Sequence, residues 1–416
     1  MNTQSTALPE GCMSPRHWAH YQKAEAMMPW ATQTNAKRYD NDFIATRPPF
    51  IERAEGCRMW DMDGREYIDY RAALGPIVLG YRYPEVEEAV RRQLDKGTLF
   101  SMASPVEAVA AEAILQTLGW ADKIRFMKTG ADVCACCLRL ARTYTGRDHL
   151  ATSGYHGYQD WFALSFGWPN PGVPVALNDY IHKLTYGNLE SVEQVFKAHG
   201  EQLAAVIVSP VEWSQDPRPD YLKLLRERCD QYGVVLIFDE VLTGFRLAKG
   251  GAPEYFGVKP DLSAYAKGIA NGYPLSAYAG KAEVMDTLNR SIITTTYAGE
   301  TLSLAAAIAV MQVFEREPVH AHLFRLGKRL REGFDAAFAE FDFPARTIGV
   351  DVAVDIAFSG TDAEKLKNRH DLFEKLYAKG IFANNEWFIT YAHRESDIDD
   401  TVAKLRESLQ ELSNHG

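Results

Sequence analysis

The chain is poor in several features that would have settled its class at once. Its 416 residues include only six cysteines, too few for a disulfide scaffold at this length. No block of consecutive Lys or Arg occurs, and 45 basic against 55 acidic residues leave a formal charge of −10, so a nucleic-acid backbone has no basic face to hold. No apolar run reaches the ~18 residues of a membrane span. The longest, from Leu302 to Phe314, is interrupted by Gln312 and reads as a core helix. The opening Met1 to Gly11 shows no basic start followed by an apolar stretch, which makes a cytoplasmic address the expectation. The motifs G-x-S-x-G, G-x-x-x-x-G-K-[ST], H-E-x-x-H and G-x-G-x-x-G are all missing, which removes support for serine-hydrolase, P-loop, zincin and dinucleotide-binding readings.

What is present is an ordinary folded composition, 46% hydrophobic and 24% charged. At ~100–200 residues per domain, two or three domains are expected. From about residue 100 to 315 short apolar runs alternate with helical patterns, as in Ala204 to Val208, Tyr221 to Tyr232 and Val234 to Phe238. This rhythm predicts an α/β large domain with a mostly parallel central sheet. Helical faces at Leu323, Leu326, Leu330 and Phe334, and at Ile398, Val402, Leu405, Leu409 and Leu412, flank strand candidates near Val350 to Ile356 and Gly380 to Ala383. They predict a smaller α+β domain. The expected division is residues 1–74 as an N-terminal arm and part of the small domain, 75–315 as the large domain and 316–416 as its C-terminal companion. The first forty residues, with Pro9, Pro15, Pro29 and several aromatics, read as an arm whose rings would be exposed in a monomer.

Candidates for chemistry stand where apolar strands end, the usual place for ligands in open α/β sheets. Val234 to Phe238 gives way to Asp239 and Glu240, and Leu262 to Ala266 gives way to Lys267. Alone, the lysine reads as an ordinary surface residue and the aspartate as a helix cap. Together they match what pyridoxal phosphate requires, a carboxylate on the pyridinium nitrogen and an amine for the aldehyde carbon. Thr129-Gly130-Ala131-Asp132, between an apolar run and a helix pattern, offers backbone N–H groups to an anion, or is simply a strand–helix connection. Tyr155, in Gly154-Tyr155-His156-Gly157, supplies an aromatic for a flat ring or for packing. Cys134, Cys136 and Cys137 lie among apolar residues without a second ligand pair at zinc-finger spacing, so they read as core packing and no metal is expected.

The ordered segments FIERAEGCRMWDMDGREYIDY (50–70), GPIVLGYRYPEVEEAV (75–90), KTGADV and LARTYTGRD within 128–148, GYHGYQDWF (154–162), LIFDEVLTGFR (236–246) and TTYAGETLSLAAA (295–307) resemble the class III aminotransferases of the pyridoxal-phosphate fold type I superfamily. Within them the chain is similar to glutamate-1-semialdehyde aminomutase and its carbohydrate-modifying relatives. The resemblance implies that Lys267 forms the Schiff base with pyridoxal 5'-phosphate, that Asp239 partners the pyridinium, and that Val241 lies beneath the ring with Tyr155 stacked on its other face. Gly130 and Ala131 would then hold the phosphate, with Thr296 reaching the phosphate of a neighbouring subunit in a homodimer with shared sites.

Where the aminomutases carry an Arg before Phe-Ile, this chain has Pro49, with Arg47 two residues earlier. The Gly-Ala-Asp cradle, GYHGYQDW and AGETLSLAAA resemble the branch acting on amino sugars. With Trp161, Trp168, Trp213 and Trp387, they make a transaminase of an oxo-sugar or 6'-oxo-aminoglycoside the expected function, fed by an amino-acid donor. The alternatives are a glutamate-1-semialdehyde 2,1-aminomutase, an amino-sugar epimerase and a non-catalytic cofactor-binding homodimer. Arg47, Arg71 and Arg82 are the candidates for holding a donor carboxylate.

Overall fold

A computed structural model of the chain describes residues 13–39, 44–165, 167 and 170–414. They fall into two compact units. One comprises the described residues up to Ala72, then Gly80–Arg82 and Leu323 onward, and the other Ala73–Leu79 and Tyr83–His322.

The first unit begins with α1 (Pro15–Met27), whose Ser14 cap accepts from the His17 N–H. The strands β1 (Ile51–Glu55), β2 (Arg58–Asp61) and β3 (Glu66–Asp69) follow as an antiparallel meander. The arm buries more of its own aromatics than its sequence suggests. Tyr21 and Tyr39 are both nearly fully covered, with Met13, Trp18, Met28 and Phe50 packed against the cluster they form. Trp30 is the exposed one, at 48%. Pro9 lies outside the described residues.

The second unit carries α2 (Pro84–Leu94), α3 (Pro105–Leu118), β4 (Lys123–Met127), α4 (Gly130–Thr145), β5 (His149–Ser153), α5 (Asp160–Ala163), β6 (Ile181–Lys183), α6 (Leu189–His199), β7 (Leu203–Val208), α7 (Pro219–Tyr232), β8 (Val235–Glu240), α8 (Gly251–Phe256), β9 (Leu262–Tyr265), β10 (Ser276–Gly280), α9 (Ala282–Met285) and α10 (Thr301–Arg316). Its seven-stranded sheet runs β4-β10-β9-β8-β7-β5-β6. All pairs are parallel except those made by β10, which is antiparallel to both β4 and β9. Every residue of β7 and β8 is buried, the pattern of strands covered on both faces. The strand that includes Val235 to Phe238 does not stop before the acids: Asp239 and Glu240 are its last two residues, and both are buried. The small-residue run from Leu302 to Phe314 is the buried interior of α10.

The first unit resumes with α11 (Val319–Glu340), whose Leu323, Leu326, Leu330 and Phe334 are fully buried. It continues through β11 (Ala345–Val350), β12 (Ala353–Phe358), α12 (Asp362–Ala378), β13 (Ile381–Phe382), β14 (Glu386–Phe388) and α13 (Glu395–Ser413). The single strand expected over 350–356 is split by a hairpin turn, with Val350 ending β11 and 353–356 opening β12. Val350 pairs with Ala353, because Gly349 at φ +82° and the following pair of residues reverse the chain. β13 joins the meander parallel to β3, and β11-β12-β14 form a separate antiparallel sheet.

Candidate active site

The candidates of the second unit gather at the carboxyl ends of its parallel strands. Asp239 ends β8, and in the adjacent β9 its register partner is Ala264, three residues before Lys267. Lys267 opens a short 3-10 turn, Lys267–Ala270, and takes φ +44°, a left-handed conformation that a lysine adopts only where its surroundings hold it. The turn therefore fixes where the amine leaves the backbone.

The carboxylate of Asp239 is 6% exposed and held at both oxygens. Its Oδ1 accepts the Val241 N–H at 3.0 Å, and its Oδ2 lies 2.7 Å from His156 Nδ1. The other imidazole nitrogen faces the Ser153 carbonyl at 3.1 Å. Cys134 Sγ, a His156 ring nitrogen and an Asp239 oxygen all lie within 4.8 Å of one another, and all three residues are buried. Burial, followed by the charge of Asp239, pushes the Cys134 thiol well above its usual range. Burial also raises Glu240 to about 8, against the Ala252 N–H and Thr243 hydroxyl that bind it. Strand alternation sends Glu240 to the opposite face of the sheet from Asp239.

Gly130 and Ala131 are the first two residues of α4, whose Thr129 cap accepts the Asp132 N–H at 3.2 Å while the Asp132 side chain accepts from the Thr129 N–H. A Cβ on Gly130 would sit 2.8 and 2.9 Å from the two methyls of Val241, so only glycine lets the start of this helix close on that valine. Gly157, at φ +105°, likewise brings its backbone against the Ala131 methyl, where a Cβ would meet it at 2.6 Å. The helix start, Val241 and the 154–157 turn are thus in contact. Tyr155 is 48% exposed, stands edge-on to Phe162 at 5.7 Å, and is raised by burial and by the nearby Asp239 charge. Thr296 is exposed, in the turn that precedes α10.

Sequence reasoning passed over His156 and Cys134. The histidine is flagged by its place one residue before a glycine that must be a glycine. The cysteine offers no signal beyond an apolar helix face, since its proximity to Asp239 is a tertiary fact.

In the first unit, Arg47 donates to the Arg38 and Tyr39 carbonyls, the latter at 2.7 Å, and Arg71 donates to the Ala36 carbonyl at 2.7 Å. Burial lowers the Arg71 guanidinium, and the nearby positive charge of Arg47 lowers it further. Arg82 is exposed, 3.9 Å from Glu55. The tryptophans do not form a sugar platform. Trp387 is fully buried against Tyr70, Phe334 and Phe373, Trp213 is 9% exposed, Trp161 packs on the core of the second unit, and Trp168 lies outside the described residues.

Residues 43–387 match the family model of the class III aminotransferases. A glutamate-1-semialdehyde 2,1-aminomutase of Thermus thermophilus is 34% identical, with 94% of this chain and 98% of that protein covered. A 3-aminobutyryl-CoA aminotransferase of Cloacimonas acidaminovorans is 31% identical, over 95% of this chain and 97% of that one. Among solved structures, the PLP internal aldimine form of the Sphingopyxis sp. MTA144 FumI protein superimposes with a TM-score of 0.88 at 27% identity, covering 95% of this chain and 96% of that one. These relatives overturn the oxo-sugar and aminoglycoside acceptor: the curated ones are named for amino-acid-type chemistry, and Trp213 and Trp387, two of the indoles that were to face a sugar, are buried. The chain belongs to the class III aminotransferases, pyridoxal-phosphate enzymes of fold type I with a large α/β domain and a smaller one.

Proposed function

We propose that this aminotransferase acts on amino-acid-type substrates, with glutamate 1-semialdehyde, converted by a 2,1-aminomutase reaction, as the first candidate. The observation that carries the chemistry is the buried Asp239 carboxylate at the end of β8, beside the strand that delivers Lys267. The residues present suit pyridoxal phosphate: the close approach of Gly130 to Val241 leaves a helix start free of side chain, as a phosphate seated on backbone N–H groups needs. When bound, the cofactor supplies an electron sink for the carbon that carries the amine. In this reading Lys267 would hold the cofactor through its amine and would serve as the base that moves the proton at the substrate carbon bearing the amine. Asp239 holds the proton on the ring nitrogen by opposite charge. Val241 and Tyr155 would flank the ring, and the Gly130 and Ala131 backbone N–H groups would hold the phosphate.

The substrate reading is supported by the 34% identical aminomutase, which is covered over 98% of its length. The test is incubation with glutamate 1-semialdehyde. Formation of 5-aminolevulinate without an added amino donor supports the aminomutase. Turnover only when a separate amino acid and oxo acid are supplied supports a transaminase of amino-acid-type substrates and removes the mutase.

We also infer a homodimer in which Thr296 serves the neighbouring subunit's phosphate. What supports it is the apolar surface of the second unit around that turn, where Ile292 is 85% and Tyr297 61% exposed, together with Met102 at 83%. Sedimentation equilibrium checks it: twice the 46.7 kDa chain mass is expected, and a monomer at micromolar concentration contradicts it.

A further inference from the structure

We propose that Cys134 is a positioning residue whose thiol donates a hydrogen bond to Asp239, keeping that carboxylate ionised and aimed at the cofactor's ring nitrogen. The inference rests on the reading of Asp239 as the ring's partner and adds a residue to it.

Asp239 is a buried acid whose neighbouring protons can be counted one by one. His156 stands between two acceptors, the Ser153 carbonyl at 3.1 Å and the Asp239 carboxyl at 2.7 Å. A carbonyl has no proton to give, so the nitrogen facing Ser153 carries one of its own. The second proton, on the short contact, then has two places to rest. On Nδ1 it makes an imidazolium–carboxylate pair; on Oδ2 it makes a neutral imidazole beside a carboxylic acid. In the first case the ring nitrogen meets a negative charge, and in the second a neutral acid. Whatever else donates to Asp239 decides between them, because hydrogen bonds to the charged form favour it.

One further donor already binds it, and a second stands close by. The Val241 N–H binds Oδ1 at 3.0 Å, and the Cys134 sulfur lies within 4.8 Å of both the imidazole nitrogen and the carboxylate oxygen. Cys134 is fully buried in the first turns of α4, among apolar neighbours. Its proton stays on sulfur, since burial and the Asp239 charge both raise the thiol, so it acts as an S–H donor and not as a thiolate. This also separates the trio from a metal cage. A metal needs the sulfur deprotonated, and here the imidazole and carboxylate are already at hydrogen-bond distance from each other. With the thiol turned to Asp239 as a third donor, the carboxylate is held from three sides and its remaining lone pair is left for the ring nitrogen.

The test reconstitutes wild type, C134S and C134V with pyridoxal phosphate labelled with nitrogen-15 in the ring. It reads the ring nitrogen's chemical shift and the cofactor's dissociation constant, with circular dichroism and melting of the apoproteins as the check on folding. Serine keeps a donor at this position, whereas valine fills the space without one. Wild type and C134S are expected to show a protonated ring. C134V is expected to move toward the unprotonated shift and to release the cofactor about 5–10-fold more readily, the scale of one ordinary intramolecular hydrogen bond. If C134V fails to fold, C134A is measured instead. A folded C134V or C134A whose shift and dissociation constant equal those of wild type overturns the role of Cys134 and leaves Asp239 untouched. A wild-type enzyme that binds the cofactor with an unprotonated ring overturns Asp239 itself, and Cys134 with it.

Discussion

The two ends of β5 carry histidine clusters of opposite character. At its amino end His149 lies 2.9 Å from His182 of β6, and His182 stacks on His199 of α6 with ring centroids 3.7 Å apart. Beyond its carboxyl end, in the 154–157 turn, His156 meets Asp239. Burial and the neighbouring imidazoles push His182 down to about 4, so its ring is neutral at pH 7 and works as packing at the sheet edge. His156 has a buried acid to bind and a cysteine beside it. The same residue type is inert where it meets its own kind and chemically poised where it meets a carboxylate. The topology decides which, because the carboxyl ends of parallel strands converge on one crevice.

The sharpest way to break this contrast is at Lys267. Lys267→Ala is expected to abolish the visible absorption of the holoenzyme and lower turnover by at least about 10³-fold, as loss of both the anchoring amine and the general base requires. Retained turnover would mean the carboxyl-end assignment is wrong. Asp239→Asn should lower kcat by about 10²–10³-fold while the protein still folds, since the ring nitrogen loses its counter-charge. Gly130→Ala should act on the cofactor more than on catalysis. Its new methyl meets Val241 at under 3 Å, and an increase of about tenfold in cofactor dissociation constant with little change in kcat at saturation is the expected split.

The smallest effect belongs to the amino end. His182 is depressed in the folded state, so below its unfolded value the unfolded chain binds the extra proton. Stability from this group is present above about pH 6.5 and is lost as pH falls toward about 4. His182→Gln should flatten the acid side of a Tm-against-pH curve by about 1–2 °C, a modest figure because the ring is partly exposed to solvent, and should leave kcat unchanged. A loss of turnover in this variant would erase the distinction between the two ends.

The sequence made the sheet legible because β7 and the first four residues of β8 are uninterrupted apolar runs, and Asp239 and Lys267 stood out as candidates because each follows an apolar stretch. It misplaced what depends on tertiary contact. The indole of Trp387 gives no hint in one dimension that three aromatic rings enclose it, and a substrate preference built on such residues went with them. The hairpin at 350–353 was hidden because apolar residues continue across the reversal. Cys134 looked like any small buried side chain, since a helix position and a strand end 105 residues apart in sequence meet only in the fold.

The central claim is that the amine of one named lysine anchors the cofactor. Reduction of the reconstituted enzyme with borohydride, followed by peptide mass mapping, tests it most directly, because reduction fixes the cofactor on whichever nitrogen holds it. The account predicts a pyridoxyl group on Lys267 and on no other lysine. A label on a different lysine, or none on any, would contradict it.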